Sequence, residues 1–287
     1  MKSLRAIVNT KKILIAAHRG NSNNFPENTI AAFQSAVNLG ADMIELDVQF
    51  TKDKQIVVYH NEILRNDNQL ISELTFNEIK NIDNGSWFSN DFANERIPLL
   101  VDVIKEFHTQ IYFSVEVKPF FSAQTKTELT QLVALLVQNN LTQNIVIASF
   151  DTKNLSYIKS INPQIYTAAI FDCRLKNNDK LNNDDKLEDG LKNENKLNDE
   201  LKNENKLNNG LKFLPIDYKN ECGCDAIICS LDELDEEFAT NATENNIFIG
   251  IYGAETKNDI DKCLANNVKV IGTNFPARIV QLINETL

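Results

Sequence analysis

The sequence predicts an α/β fold, a (β/α)8 TIM barrel, and three observations carry that prediction. Apolar runs of strand length alternate with amphipathic stretches of helix length along most of the 287 residues. A repeated β-then-α order implies a parallel sheet. Eight such strands lead into helices, starting at Ile13, Met43, Ile111, Ile145, Ile165, Ala226, Ile247 and Val268, and eight units suggest a closed barrel. One low-complexity span, 174–212, departs from the pattern. Without it the chain has close to the roughly 250 residues typical of such a barrel, which favours a single domain over 1–287 with an insert.

The elements follow in order. Residues 13–17 read as the first strand and 28–39 as a helix with Ile30, Ala31, Phe33 and Val37 on its inner side. Residues 43–50 form the second strand. Residues 56–60 are its antiparallel companion, joined through Thr51-Lys52-Asp53-Lys54. Residues 61–97 break the alternation and hold the single Trp, so they read as a small insertion covering one end of the fold. Beyond Pro98, helices are expected over 99–107, 126–139, 152–161, 232–245, 257–266 and 276–285. Strands are expected over 111–117, 145–149, 165–171, 226–230, 247–252 and 268–272.

The insert after strand 5 is different in kind. It has equal numbers of acidic and basic residues, no aromatic, and a near-repeat of ten residues that begins at Leu191 and again at Leu201. At about 100° per residue, ten residues fall roughly 80° short of three helical turns. A leucine stripe on that period spirals around a helix and forms no lasting seam, so disorder is the expectation for this span.

The composition bounds the function. A hydrophobic content of 43% with 16 Phe supports a large core. A net charge of −11 argues against a nucleic-acid binder or a general binder of anionic membranes. Residues 1–12 are charged and the apolar run after them is five residues long, too short for a signal peptide or a span. A cytoplasmic protein without stable membrane insertion is expected, and the odd set of five cysteines reads as free thiols. Cys222-Gly223-Cys224 is too closely spaced for a zinc knuckle and lacks a second pair.

The chemistry gathers where strands end, because active sites of these barrels lie at the C-terminal face. Strand one ends in His18-Arg19-Gly20. Strand two carries Glu45 and Asp47, its companion ends in His60, and strand three ends in Glu116-Val117-Lys118. Side chains two apart on a strand share a face, so Glu45 and Asp47 point together, as do Glu116 and Lys118. Paired carboxylates repel and are expensive to bury. Either the strand face is solvated, or Glu45, Asp47 and Glu116 offer oxygens to one hard cation. His18 and His60 suit general acid–base work, with a structural role as the alternative. Arg19 and Lys118 suit an anionic group such as phosphate, or else salt bridges to Glu45 and Glu116. His108 sits on a helix-to-strand loop and is unremarkable.

At this point the sequence resembles the glycerophosphodiester phosphodiesterases. The resemblance rests on Ala17-His18-Arg19-Gly20, Pro26-Glu27-Asn28-Thr29 with Phe33 and Ala36, and the run from Gly40 to Val48. It continues through Thr51-Lys52-Asp53, Val57-Val58-Tyr59-His60, Leu74-Thr75, Ile97-Pro98-Leu99-Leu100 and Val115-Glu116-Val117-Lys118. Ser149-Phe150-Asp151 and Gly272-Thr273-Asn274-Phe275-Pro276 extend it to the C-terminus. It implies a hydrolase of lipid and glycerol metabolism, converting small-molecule glycerophosphodiesters to sn-glycerol 3-phosphate and an alcohol with one divalent cation, calcium or magnesium. Carried over by position, Glu45, Asp47 and Glu116 look like metal ligands, His18 and His60 like the acid–base pair, and Arg19 and Lys118 like phosphate contacts. The nucleophile is either water or the glycerol 2-hydroxyl, and either histidine suits either role.

Four positions depart from the family pattern. Asn61 follows His60 where Asp is usual, Tyr252 replaces a Trp, Glu255 stands where that motif ends in Asn, and Asn274 replaces Asp. None of them removes a proposed ligand or acid–base group, and together they bear on substrate preference. Two alternatives stand beside the main reading. One is a lysophospholipase D, whose acyl groove would draw on Phe120-Phe121 and Trp87-Phe88. The other is a non-catalytic barrel that binds a partner through 174–212. The sequence sets no oligomeric state.

Overall fold

The computed structural model describes residues 2–65, 68–118, 123–171 and 213–286. Its sheet comprises β1 (Leu14–His18), β2 (Met43–Phe50), β3 (Ile56–Val58), β4 (Tyr112–Val117), β5 (Ile145–Ser149), β6 (Tyr166–Ile170), β7 (Ala226–Ser230), β8 (Phe248–Tyr252) and β9 (Val270–Thr273). The strand order is β1-β9-β8-β7-β6-β5-β4-β2-β3, and β1 also pairs with β2. That extra pairing closes the sheet. Eight staves run parallel, and β3 alone is antiparallel, hung on the far end of β2 through Val48–Val58 and Phe50–Ile56. The expected TIM barrel is present.

Its core has two layers. Inside the barrel, Leu14, Ala16, Met43, Tyr112, Val146, Ala148 and Ala168 pack together. Outside, the staves bury their other faces against the helices, as in Ile44, Leu46, Phe33 and Phe107 on one side and Ile227, Ile249, Phe238 and Ile279 on the other. Parallel strands covered on both faces are apolar on both faces, which is why these runs lack clean alternation until the rim. Side-chain oxygens of Thr29, Asp151, Asp235 and Thr256 cap the helices that follow, accepting from backbone N–H groups in their first turns.

Outside the 61–97 insertion, two helices among the described residues were not legible in the sequence. Leu4–Thr10 lies across the N-terminal end of the barrel. Leu4 and Val8 join the interior cluster, and the Tyr112 hydroxyl donates to the Lys2 carbonyl. Seven residues with two buried apolar positions give too little periodicity to recognise. The second, Pro215–Cys222, leads into β7. The helix expected over 232–245 begins later, at Glu236, because a short 3-10 turn, Leu231–Glu233, precedes it.

The insertion expected over 61–97 forms a small satellite core on β3. Val57 and Tyr59 pack against Leu64, Ile71, Ile79 and Ile97. Gly85 is required there, since a Cβ at that position would meet the Phe92 carbonyl at 2.0 Å. The low-complexity insert and Phe120-Phe121 lie outside the described residues. The former follows β6, the fifth stave.

Candidate active site

The rim is assembled by register. In the parallel ladders His18 on β1 is the partner of Glu45 on β2, and Asp47 is the partner of Glu116 on β4. Alternation then turns His18, Glu45, Asp47 and Glu116 toward the barrel axis. Beyond β3, the Tyr59 N–H donates to the Asp47 carbonyl at 3.0 Å, which lays His60 beside the same carboxylates. All seven residues singled out in the sequence meet at this mouth.

Glu45, Asp47 and Glu116 each offer a carboxylate oxygen within 4.8 Å of the others. Asp47 is fully buried and the most heavily bonded. Lys118 Nζ lies 2.5 Å from Asp47 Oδ1 and 2.6 Å from Glu116 Oε1. Arg19 Nε stands 3.1 Å from Asp47 Oδ2, and Asn28 Nδ2 donates to that oxygen at 2.9 Å. Burial alone would raise the Asp47 carboxyl, but Lys118, Arg19 and His60 together hold it below the usual range. Glu45 has no such cation on its oxygens. Burial first, then Asp47 and Glu116, push it well above the carboxylate range. Glu116 is raised chiefly by burial. Three carboxylate oxygens this close are a donor set that fits one hard divalent cation.

Arg19 is held by its backbone as well as its side chain. Its φ is +56°, in the left-handed region, which directs its N–H to Glu45 Oε2 at 3.0 Å. Such a conformation costs roughly 1–2 kcal/mol for a non-glycine residue. The next residue, Gly20, has φ +85°, and a Cβ there would sit 2.7 Å from the Ala32 backbone. Glycine at position 20 is therefore a backbone requirement of this turn. Arg19 Nη1 also meets Glu27 Oε2 at 2.7 Å, and Glu27 Oε1 meets Arg65 Nη2 at 3.2 Å. The Arg65 guanidinium lies 3.5 Å over the half-exposed Trp87 ring. The expected salt bridge from Lys118 to Glu116 is present, whereas the Arg19 side chain pairs with Glu27 and Asp47 instead of Glu45.

The two imidazoles flank the acids. His18 Nε2 is 3.9 Å from Glu45 Oε2, and its Nδ1 lies 2.6 Å from Asn274 Oδ1. His60 Nδ1 lies 2.8 Å from Asn61 Oδ1, and Gln49 Nε2 donates to the His60 carbonyl at 3.0 Å. Enclosure in the mouth lowers both rings below the usual histidine value. Arg19 adds to the effect at His18, while at His60 Lys118 and Arg19 add to it against Asp47. His108, by contrast, caps its helix and bonds the Ile104 carbonyl.

Sequence reasoning gave no role to Glu27 or Asn28 and read Asn61 and Asn274 only as departures bearing on substrate preference. Glu27 and Asn28 lie inside the quoted motif, but their contacts to Arg19 and Asp47 cross between loops and leave no periodic trace. Asn61 and Asn274 were referred to the substrate pocket, whereas each one contacts a histidine ring.

Fold and rim together define an α/β barrel with acids, imidazoles and bases on one arc of its mouth. The chain belongs to the glycerophosphoryl diester phosphodiesterase family, whose model matches residues 18–278. It is 38% identical over 168 residues to the glycerophosphodiester phosphodiesterase of Caldanaerobacter subterraneus subsp. tengcongensis, covering 57% of this chain and 69% of the relative. It is 41% identical over 159 residues to Bacillus subtilis YhdW, covering 54% of this chain and 65% of that protein, just under two thirds of its length. Among solved structures, an Oleispira antarctica phosphodiesterase in complex with the product sn-glycerol-3-phosphate superposes with TM-score 0.74. It has 18% identity and covers 94% of this chain and 96% of its own. The glycerophosphodiester phosphodiesterase of Agrobacterium tumefaciens gives TM-score 0.72 at 19% identity, covering 94% and 99%. No helix among the described residues is long and apolar enough to cross a membrane.

Proposed function

We propose that this protein hydrolyses glycerophosphodiesters to sn-glycerol 3-phosphate and an alcohol. The observation that carries the reading is the convergence of three carboxylates within 4.8 Å of one another beside two imidazoles. Glu45, Asp47 and Glu116 would hold one divalent cation, calcium or magnesium, which when bound neutralises phosphate charge and makes the attacking hydroxyl more acidic.

The chain's own groups do the rest. One ring accepts at Nε2 the proton released as the attacking oxygen, from water or the glycerol 2-hydroxyl, bonds to phosphorus; when the 2-hydroxyl attacks, the product of this step is a cyclic phosphate, which water opens in a second step with the rings exchanging roles. The other ring delivers a proton from Nε2 to the leaving alcohol oxygen as its P–O bond breaks. With both rings lowered by enclosure in the mouth, a neutral base is on hand at neutral pH. Arg19 and Lys118 present positive charge toward the phosphoryl oxygens, held protonated by the carboxylates against the opposing effect of burial.

Further assignments belong to the same proposal. The domain is one barrel over 1–287 with the insertion 61–97 and the insert 174–212. A cytoplasmic location is supported by Cys222, Cys224, Cys229 and Cys263 being free and buried.

The test is release of glycerol 3-phosphate from several head-group diesters, with and without a chelator, on wild type, His18→Ala and Glu45→Ala. Loss on chelation and in both variants is expected. Activity unaffected by all three changes would sink the reading. Glycerophosphocholine set against its lyso form separates diesterase from lysophospholipase D.

A further inference from the structure

Outside the reacting groups, each histidine of the rim is held at two points by neutral side chains. For His18, Ser22 Oγ donates to the backbone carbonyl at 2.8 Å and lies 2.9 Å from Asn274 Oδ1, which in turn faces Nδ1 at 2.6 Å. For His60, Gln49 Nε2 holds the backbone carbonyl at 3.0 Å, and Asn61 Oδ1 faces Nδ1 at 2.8 Å. The two clamps come from unrelated loops, one after β9 and one beyond β3, yet place the same chemical group at the same ring atom. The His18 Nε2 looks toward Glu45 at 3.9 Å.

We propose that Asn61 and Asn274 are paired positioning residues. Their amide oxygens hold both imidazoles with a proton on Nδ1, so that each ring takes up or gives up its catalytic proton at Nε2. The inference rests on the proposed function for its kinetic consequence, but not for its structural content.

The choice of amide oxygen over amide nitrogen follows from proton accounting. An acid–base ring must alternate between a neutral and a protonated state. With Asn oxygen on Nδ1–H, a proton enters and leaves at Nε2 while the Nδ1 bond is kept in both states. With the amide turned so that nitrogen donates to Nδ1, only the neutral Nε2–H ring is accommodated, and protonation would set two donors against each other. A neutral acceptor also adds no further negative charge beside Glu45, Asp47 and Glu116, which already raise one another's cost of ionisation.

The test is a long-range proton–nitrogen correlation spectrum of the full-length, nitrogen-15-labelled chain, in which the only three histidines are His18, His60 and His108. His108 is an internal reference. Its Nδ1 faces the Ile104 carbonyl at 3.0 Å, an acceptor that cannot be turned around, so its neutral ring must carry Nδ1–H. Expected in wild type are pyrrole-type Nδ1 signals for all three neutral rings. Asn274→Ala should release His18 alone to the mixed tautomers of a free imidazole, and Asn61→Ala should release His60 alone. Asn274→Asp and Asn61→Asp, which keep an acceptor, should retain the wild-type pattern. In the release assay each alanine variant should lower kcat about 10–100-fold, as expected when the partner that orients a functional imidazole is lost, with KM within about twofold. Wild-type rings in the Nε2–H form, alanine variants with unaltered spectra, or a lost tautomer with kcat unchanged would each overturn the proposal. If wild type cleaved no diester at all, the function would fall, while the spectra would still decide whether the amides fix the rings.

Discussion

The two arcs of the barrel mouth share a backbone plan and differ in everything chemical. On β1, β2 and β4 the inward positions near the rim are His18, Glu45, Asp47 and Glu116. On β5 to β9 the inward positions Ala148, Ile170, Ile228, Gly250 and Gly272 are uncharged, and the neutral Asn274 follows them at the rim beside His18. One turn lower, both arcs are apolar, with Leu14, Met43 and Tyr112 facing Val146, Ala168 and Val270. The charged arc is thus an exception to the barrel's own layering, and it holds together only because each acid has a donor or cation in reach. The neutral arc needs no such network. The contrast teaches that this fold separates stability from chemistry by angle around its axis as well as by height along it.

The largest effects should follow from breaking the charged arc. His18→Ala or His60→Ala is expected to lower kcat about 10²–10⁴-fold. Glu45→Ala should do at least as much, since it removes a carboxylate from the cluster that no other group replaces. Steady-state rates of glycerol 3-phosphate release measure both. A residual rate within tenfold of wild type would show that the arc is a structural network only.

Cation affinity should depend on pH through Glu45. Its folded titration lies well above the usual 4.5, so between those values the folded chain holds a proton that the unfolded chain has released. By linkage, stability in chelator is greatest near and below the unfolded value and falls as pH rises through the folded one. A divalent cation must displace that proton, so its affinity should strengthen over the same interval. Calorimetric titration with calcium and magnesium at several pH values would reveal proton release, and denaturation in chelator would reveal the opposite slope. An affinity flat with pH would contradict the raised Glu45.

Smaller effects sharpen the contrast. Gly20→Ala combines a left-handed φ with a 2.7 Å clash against the Ala32 backbone and should destabilise by about 1–3 kcal/mol, measured by urea denaturation, with a parallel loss of rate because Arg19 moves. In the neutral arc, Ile228→Val should cost at most about 0.5–1.5 kcal/mol and leave kcat unchanged.

Much of this was legible because strand periodicity reports on faces. Glu45 and Asp47, two apart in an otherwise apolar strand, declared both the strand and its unusual side. Glu116 and Lys118 did the same on β4. The eight staves followed from apolar runs, and their true limits differ from expectation by a residue or two, as at Leu14 and Tyr112. What escaped were features set by contacts between distant loops. Asn274 reaches His18 across 256 positions of sequence, and Glu27 bridges two arginines from separate loops. The helix Leu4–Thr10 escaped for another reason: it is stabilised by the barrel end it covers, through Leu4 and Val8, and hardly by its own pattern.

The antiparallel strand β3 gives the mouth an adjustable part. The ends of the eight staves are fixed by the closed circle of parallel pairings, but His60 arrives on a ribbon outside that circle, held by β2 on one side and by an isolated bridge from Val57 to Leu99 on the other. Its neighbour Tyr59 is buried in the satellite core and hydrogen-bonds the Arg65 N–H at 3.0 Å. Because alternate residues of a ribbon face opposite ways, adding or deleting one residue in the Thr51-to-Gln55 bend would exchange these two side chains, sending the imidazole into grease and the phenol into the mouth. The length of that bend is therefore as strict a condition on this protein as the identity of any group it serves.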